Sequence, residues 1–148
     1  MKILKTDSSN SDFIQLIALL DADLAIKDGD DHAFYDQFNK VNDIKHVLVA
    51  YANDTAIACG AIKEYDSDSV EIKRMFTDSD YRGKGAASEI LQHLENWAKA
   101  LGYKKCILET GIKQLEAIGL YPKNGYHRIS NYGQYSGLKT SVCFAKVL

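Results

Sequence analysis

The sequence predicts an α/β fold of the α+β kind, and three observations carry that reading. First, the β-prone run Val70 to Phe76 leads through the polar turn Asp78-Ser79-Asp80 into a glycine pair, Gly83 and Gly85, and then a long helical pattern ending at Leu101. Second, two strand-like runs precede that junction with only short turns between them, so three consecutive strands form an antiparallel meander rather than a βαβ unit. Third, two more strand-like runs close the chain. With an opening strand and one between Cys106 and Thr110, seven strand candidates alternate with helical stretches.

In chain order, Met1 to Thr6 alternates loosely and reads as the first strand. Ser8 to Ser11 offer capping side chains, and Phe13, Ile14, Ile17, Ala18, Leu20 and Leu24 recur at helical spacing, predicting an amphipathic helix. From Asp21 to Asp36 the chain carries aspartates at 21, 23, 28, 30, 31 and 36 against one lysine, Lys27. Such a run is a solvated helix face, or the rim of a site that attracts a cationic amine, with Phe34, Tyr35 and Phe38 as walls or as core. Val47–Tyr51 and Thr55–Ile62 form a hairpin across Asn53-Asp54. Asp66 to Ser69 turn the chain into Val70–Phe76. Beyond the glycine loop, Ala87, Ile90, Leu91, Leu94, Ala98 and Leu101 mark one helix face, and Glu89, Gln92, His93, Glu95, Asn96 and Lys99 the other. Gly102 ends that helix. Cys106–Thr110 is a strand, Lys113–Leu120 a short helix expected to stop at Pro122, and Tyr126–Ser130 with Thr140–Lys146 the closing pair.

The totals exclude several function classes. A chain of 148 residues, 46% hydrophobic and 26% charged, suits one globular domain with a substantial core. Its net charge of −2 argues against nucleic acid as a partner. No apolar run approaches the roughly 20 residues that span a bilayer, and the N-terminus turns polar at once, so a cytoplasmic protein without membrane association is expected. Cys59, Cys106 and Cys143 each sit in an apolar run without CxxC spacing and read as reduced, buried thiols. The four histidines show no ligand spacing, and no metal site is expected.

The chemistry concentrates at Tyr81-Arg82-Gly83-Lys84-Gly85-Ala86-Ala87. A helix start leaves backbone N–H groups unpaired at the positive end of the dipole, and glycines let an anion approach them. With Arg82 and Lys84 adjacent, the loop suits a phosphate or pyrophosphate. The spacing of Arg82, Gly85 and Ala87 fits the pattern Arg/Gln-x-x-Gly-x-Gly/Ala, and Ala117 to Tyr126 matches Ala-x-x-x-Tyr-x-Lys-x-Gly-Phe/Tyr. On these two motifs the sequence resembles the GNAT superfamily of N-acetyltransferases over roughly Val47 to Leu148; before His46 only the element order matches.

That resemblance implies a mixed, mostly antiparallel central sheet of about seven strands with helices on both faces. It implies one domain over residues 1–148, with 1–46 a variable acceptor-side region and 70–126 the acetyl-CoA-binding core. Backbone groups of Met75, Phe76 and Thr77 would meet the pantetheine arm, and N–H groups of Arg82, Gly83, Lys84, Gly85, Ala86 and Ala87 the pyrophosphate. An N–H near Met75 would stabilise the oxyanion. Tyr121 falls where the family's general acid approaches the CoA sulfur. Glu71 is a candidate general base, since the period of two puts Glu71, Lys73 and Met75 on one strand face, with Glu71 about 13 Å from the oxyanion position. Gln114 stands where an asparagine often contacts the cofactor. Thr77, Ser79 and Ala86 also depart from the commonest family residues. The expected function is acetyl transfer from acetyl-CoA to a small-molecule amine; the alternative is a catalytically silent acyl-CoA-binding regulator. The closing strands are suited to pair across a homodimer.

Overall fold

The computed structural model describes residues 1–29 and 44–148. Strands β1 (Lys2–Thr6), β2 (His46–Ala52), β3 (Thr55–Glu64), β4 (Ser69–Thr77), β5 (Lys105–Gly111), β6 (His127–Ile129) and β7 (Ser141–Val147) alternate with helices α1 (Ser11–Asp28), α2 (Ala86–Ala100) and α3 (Leu115–Lys123). They form one seven-stranded sheet in the order β1-β2-β3-β4-β5-β7-β6. Every pairing is antiparallel except β4 with β5. The meander arises locally: Asn53 and Asp54, at φ 50° and 69°, make the left-handed tight turn that matches strand twist. The aspartates at Asp30, Asp31 and Asp36 and the aromatic residues Phe34, Tyr35 and Phe38 lie outside the described residues.

Helix α1 covers one face. Asn10 caps it by accepting from the Phe13 amide at 2.9 Å, and Phe13, Leu16 and Ile17 pack on Val47, Val49, Cys59 and Ala61. The buried stripe therefore uses Leu16 in place of the expected Ile14 and Ala18, which face solvent. Helices α2 and α3 cover the other face, where Ile90, Leu91, Leu94, Ala98 and Tyr121 meet Leu48, Ala58, Ile62, Ile72, Leu108 and Phe144. Glu95, expected on the solvent face of α2, is buried there. Its carboxylate accepts from the Tyr126 hydroxyl at 2.9 Å and the Lys146 ammonium at 2.8 Å, satisfying both oxygens. Pro122 lies inside the last turn of α3 instead of stopping it. Little ladder is left to lose so near the end, and Gly125, at φ 88°, closes the helix with its amide on Pro122 O.

Two irregularities position the site. In β4, Phe76 lies opposite Cys59 and Lys73 opposite Ala61, so Arg74 and Met75 together face Gly60. This is a β-bulge, and Arg74 sits in it at φ 58°, a conformation disfavoured for a residue with a side chain. Its guanidinium is anchored to α1, with Nη2 2.6 Å from the Asp21 carboxylate and 3.4 Å from Ile17 O. Among the described residues Nε and Nη1 have no partner. The extra residue reverses the side-chain alternation. Glu71 and Lys73 stay on the α1 face beside Lys63 and Ala61, while Met75 turns to the α2 face against Ile90 and Leu94. The expectation that Glu71 and Met75 share a face is thus corrected by the bulge.

Gly60 is what lets the bulge fit. A Cβ there would lie 2.5 Å from Met75 Sδ, 2.8 Å from Ile90 Cγ2 and 3.0 Å from Leu94 Cδ1. Gly60→Ala is expected to destabilise the fold by about 2 kcal/mol through overpacking, read as a lower urea midpoint with unchanged m-value. A midpoint within experimental error of the parent would show that Met75 gives way freely.

The second irregularity is that β4 and β5 pair only from Ser69↔Lys105 to Glu71↔Ile107. Beyond those residues β4 continues to Thr77 and β5 to Gly111, and the bend imposed by the bulge turns β4 away. The sheet opens there into a wedge.

Candidate active site

A cavity of about 690 Å³ fills the wedge. It is lined from α1 by Leu20, Asp23 and Asp28, from β4 by Glu71 through Thr77, and from β5 by Glu109, Thr110 and Gly111. The glycine loop, the first turn of α2 and helix α3 close its other end. The cavity therefore joins the two faces of the sheet at the point where two strands part.

At the loop end, Gly83 and Gly85 adopt φ 77° and 86°, and a Cβ at either would meet nothing within 4 Å. Gly85 is the N-cap of α2 and no side chain caps that end, so the amides of the first turn are left for an external acceptor. Arg82 ties the loop to β4: its Nε donates to Thr77 O at 2.9 Å, and its Nη1 lies 3.6 Å from the Glu116 carboxylate of α3. The loop stays solvent-exposed at residues 83–85. Of the residues expected to hold the cofactor, Met75, Phe76, Thr77, Arg82, Gly83, Gly85, Ala86, Ala87 and Gln114 all line the cavity. Lys84 is not among the lining residues; its ammonium lies 5.7 Å from the ring centroid of Tyr81. Gln114 presents a buried Nε2 with no hydrogen-bond partner among the described residues, a donor left for something outside them.

Tyr121 lines the cavity from α3 and is 5% exposed. Its ring stacks edge-on to Tyr126 at 5.5 Å and lies 5.8 Å from Phe144. Burial, reinforced by the Glu109 charge, pushes its phenol well above the usual tyrosine range, so it remains protonated at any working pH.

At the α1 end, besides Asp23 and Asp28 of the helix, stand two carboxylates carried by the strands. Both oxygens of Glu71 are engaged, Oε1 by Lys73 Nζ at 3.3 Å and Oε2 by the Tyr132 hydroxyl at 2.5 Å. The other, Glu109, was not anticipated from the sequence. Ser141 Oγ donates to its Oε2 at 2.7 Å, and burial holds its carboxyl up to about 7. The available signal was an acidic residue ending the otherwise apolar run Cys106-Ile107-Leu108, but only the sheet order sets it across the wedge from Glu71. The cysteines offer no nucleophile. All three are buried, and burial pushes the thiols of Cys59 and Cys106 to about 12 and that of Cys143 to about 11. Among the described residues no group of three or more His, Cys, Asp or Glu could hold a metal, and no helix is long and apolar enough to cross a membrane.

A split sheet whose cavity has an uncapped helix start and a buried phenol at one end and carboxylates at the other is an arrangement suited to acyl transfer. Residues 13–126 match the model of the Acetyltransferase (GNAT) family, and the chain belongs to that family. It is 34% identical over 102 residues to an IAA acetyltransferase of Azospirillum brasilense, covering 68% of this chain and 67% of that protein. A Klebsiella pneumoniae protein assigned as an acyl-CoA N-acyltransferase superposes with a TM-score of 0.83 at 28% identity, over 99% of this chain and 97% of that one. A GNAT family acetyltransferase from Elizabethkingia anophelis, solved with acetyl-CoA bound, shares the fold with a TM-score of 0.72 at 19% identity, over 99% and 97% of the two chains.

Proposed function

We propose that this protein transfers the acetyl group of acetyl-CoA to a primary amine of a small molecule or peptide, directly, in a ternary complex. The observation that carries the reading is that one cavity connects the uncapped start of α2, the unpaired stretch of β4, Tyr121 and a pair of carboxylates. Acetyl-CoA is the co-substrate. Its diphosphate is held by the amides of residues 82–87, and its pantetheine arm runs along Met75, Phe76 and Thr77, where β4 has no β5 partner. Residues 70–126 then form the cofactor half of the site, and residues 1–46 serve the acceptor.

Transfer needs a neutral amine, a donor for the carbonyl oxygen as it becomes negative, and a proton for the departing thiolate. The second task is assigned to the backbone near Met75 and the third to Tyr121, a reading supported by the one cavity that both line. The first falls to a cavity carboxylate, Glu71 or Glu109. On α1, Asp23 is paired with Lys27 at 3.0 Å, and Asp28 adds a carboxylate on the acceptor side, which favours a cationic amine.

The test is release of free thiol from acetyl-CoA across a panel of amines, paired with calorimetric titration of CoA. Thiol release with one amine class supports the enzyme. Tight CoA binding with silence toward every amine would favour the regulator instead. Gly85→Ala should raise the Kd for acetyl-CoA about tenfold, because with a side chain the free loop relaxes away from φ 86° and binding must restore about 1–2 kcal/mol of strain. An unchanged Kd would place the diphosphate elsewhere.

A further inference from the structure

Resting on the acetyl-transfer reading above, we propose that Glu109, on β5, is the general base that takes a proton from the acceptor's ammonium group at the α1 mouth of the cavity.

Glu109 lies beyond Ile107, where β5 has parted from β4. Strand alternation sends Cys106 and Leu108 to the α2 face and Glu109 to the α1 face, opposite its partner Cys143. It reaches the cavity from the side opposite Glu71. Its orientation is fixed by Ser141 on Oε2, while Oε1 accepts no hydrogen bond among the described residues. Glu71, by contrast, has a donor on each oxygen. A carboxylate oxygen that carries no donor is the better placed to take a proton from the acceptor, and of these two glutamates Glu109 alone has one among the described residues.

The surroundings suit the task. From β4, Glu71 raises the Glu109 carboxyl and Lys73 lowers it; from α1, Asp28 raises it; from β7, Ser141 lowers it by hydrogen bonding. Burial is the largest effect, and the outcome is a carboxyl titrating at about 7. Tyr121, Tyr135 and Cys143 also face it, and each is pushed upward by burial, so none competes to ionise near neutrality. A base poised near the working pH is half ready and still strong enough to accept a proton.

The steps balance. The Glu109 carboxylate takes one proton from R–NH3⁺, leaving R–NH2. The nitrogen lone pair forms the C–N bond at the thioester carbon, and collapse breaks the C–S bond. Tyr121 protonates the thiolate and regains the proton the nitrogen sheds. Glu109 returns its proton to water, so one proton is released per turnover.

The experiment is the pH profile of kcat/KM at saturating acetyl-CoA, with an amine found active in the panel and titrating near 10, far above the carboxyl. The parent should show an acid limb with midpoint near 7. Glu109→Gln should lose about 100-fold or more in kcat, lose that limb, and keep its Kd for acetyl-CoA within twofold. Glu71→Gln should keep the limb and move it to lower pH, because a neighbouring negative charge is gone. Carboxyl ¹³C NMR of the protein without substrate should show a single glutamate titrating near 7, absent in Glu109→Gln. A Glu109→Gln enzyme within fivefold of the parent, or a limb abolished by Glu71→Gln instead, would overturn this assignment alone. Silence of the parent toward every amine, with CoA still bound, would overturn the acetyl-transfer reading and this assignment with it.

Discussion

Tyr121→Phe should bind acetyl-CoA as the parent does and turn over about 100- to 1000-fold more slowly, a loss of about 3–4 kcal/mol in transition-state stabilisation. The substitution removes one oxygen and keeps the ring. The edge contact with Tyr126 at 5.5 Å and the packing on Phe144 should therefore persist, and the thermal midpoint should stay within about 2 °C. The objection to a buried phenol as acid is that burial makes it a weak one. The same burial acts on thiols in this protein, however. A thiolate that forms in the same water-poor cavity is likewise a stronger base than in water, because burial penalises its charge too. Because the phenol is protonated throughout, no loss of activity from its ionisation is expected below about pH 10. The check is steady-state kinetics with calorimetric Kd values on the same preparation. A kcat within threefold of the parent would leave Tyr121 a packing residue.

That Tyr121 and the glycine loop would line one site was legible in the sequence because each belongs to a local pattern: spacing within seven to ten residues specifies a turn, a helix start and a side chain on one helical face. The strands were legible for the same reason, since alternation and turn residues act over short range. What escaped depends on contacts between distant residues. Nothing adjacent to Arg74 announces a left-handed φ, which becomes tolerable only because Asp21, 53 positions earlier, holds the guanidinium. That one bulge decides which face Met75 takes, so a strict period of two failed there. Glu95 reads as a solvent-facing helix residue until Tyr126 and Lys146 arrive from later in the chain. Glu109 acquires its character only when β5 lands beside β4 and leaves it again.

Glu109→Gln should also make the protein more stable at pH 8, by about 3 kcal/mol, while impairing it as a catalyst. In the unfolded chain this carboxyl ionises at about 4.5, whereas folding holds it up to about 7. Between those values the folded state keeps a proton that the unfolded state has released. Stability from this group is therefore highest below 4.5, falls as pH rises toward 7, and is constant above. The gap corresponds to about 3 kcal/mol at about 1.4 kcal/mol per unit. Glutamine has nearly the same shape, still accepts from Ser141 Oγ, and carries no charge to desolvate. Expressed as a thermal midpoint, the variant should exceed the parent by about 8 °C at pH 8 and match it near pH 4, for a chain of this size. The measurement is differential scanning calorimetry of both proteins across that range. A variant that is equally or less stable at pH 8 would mean that the carboxylate is well satisfied when ionised, and the proposed base would then lose the raised titration that suits it to the task.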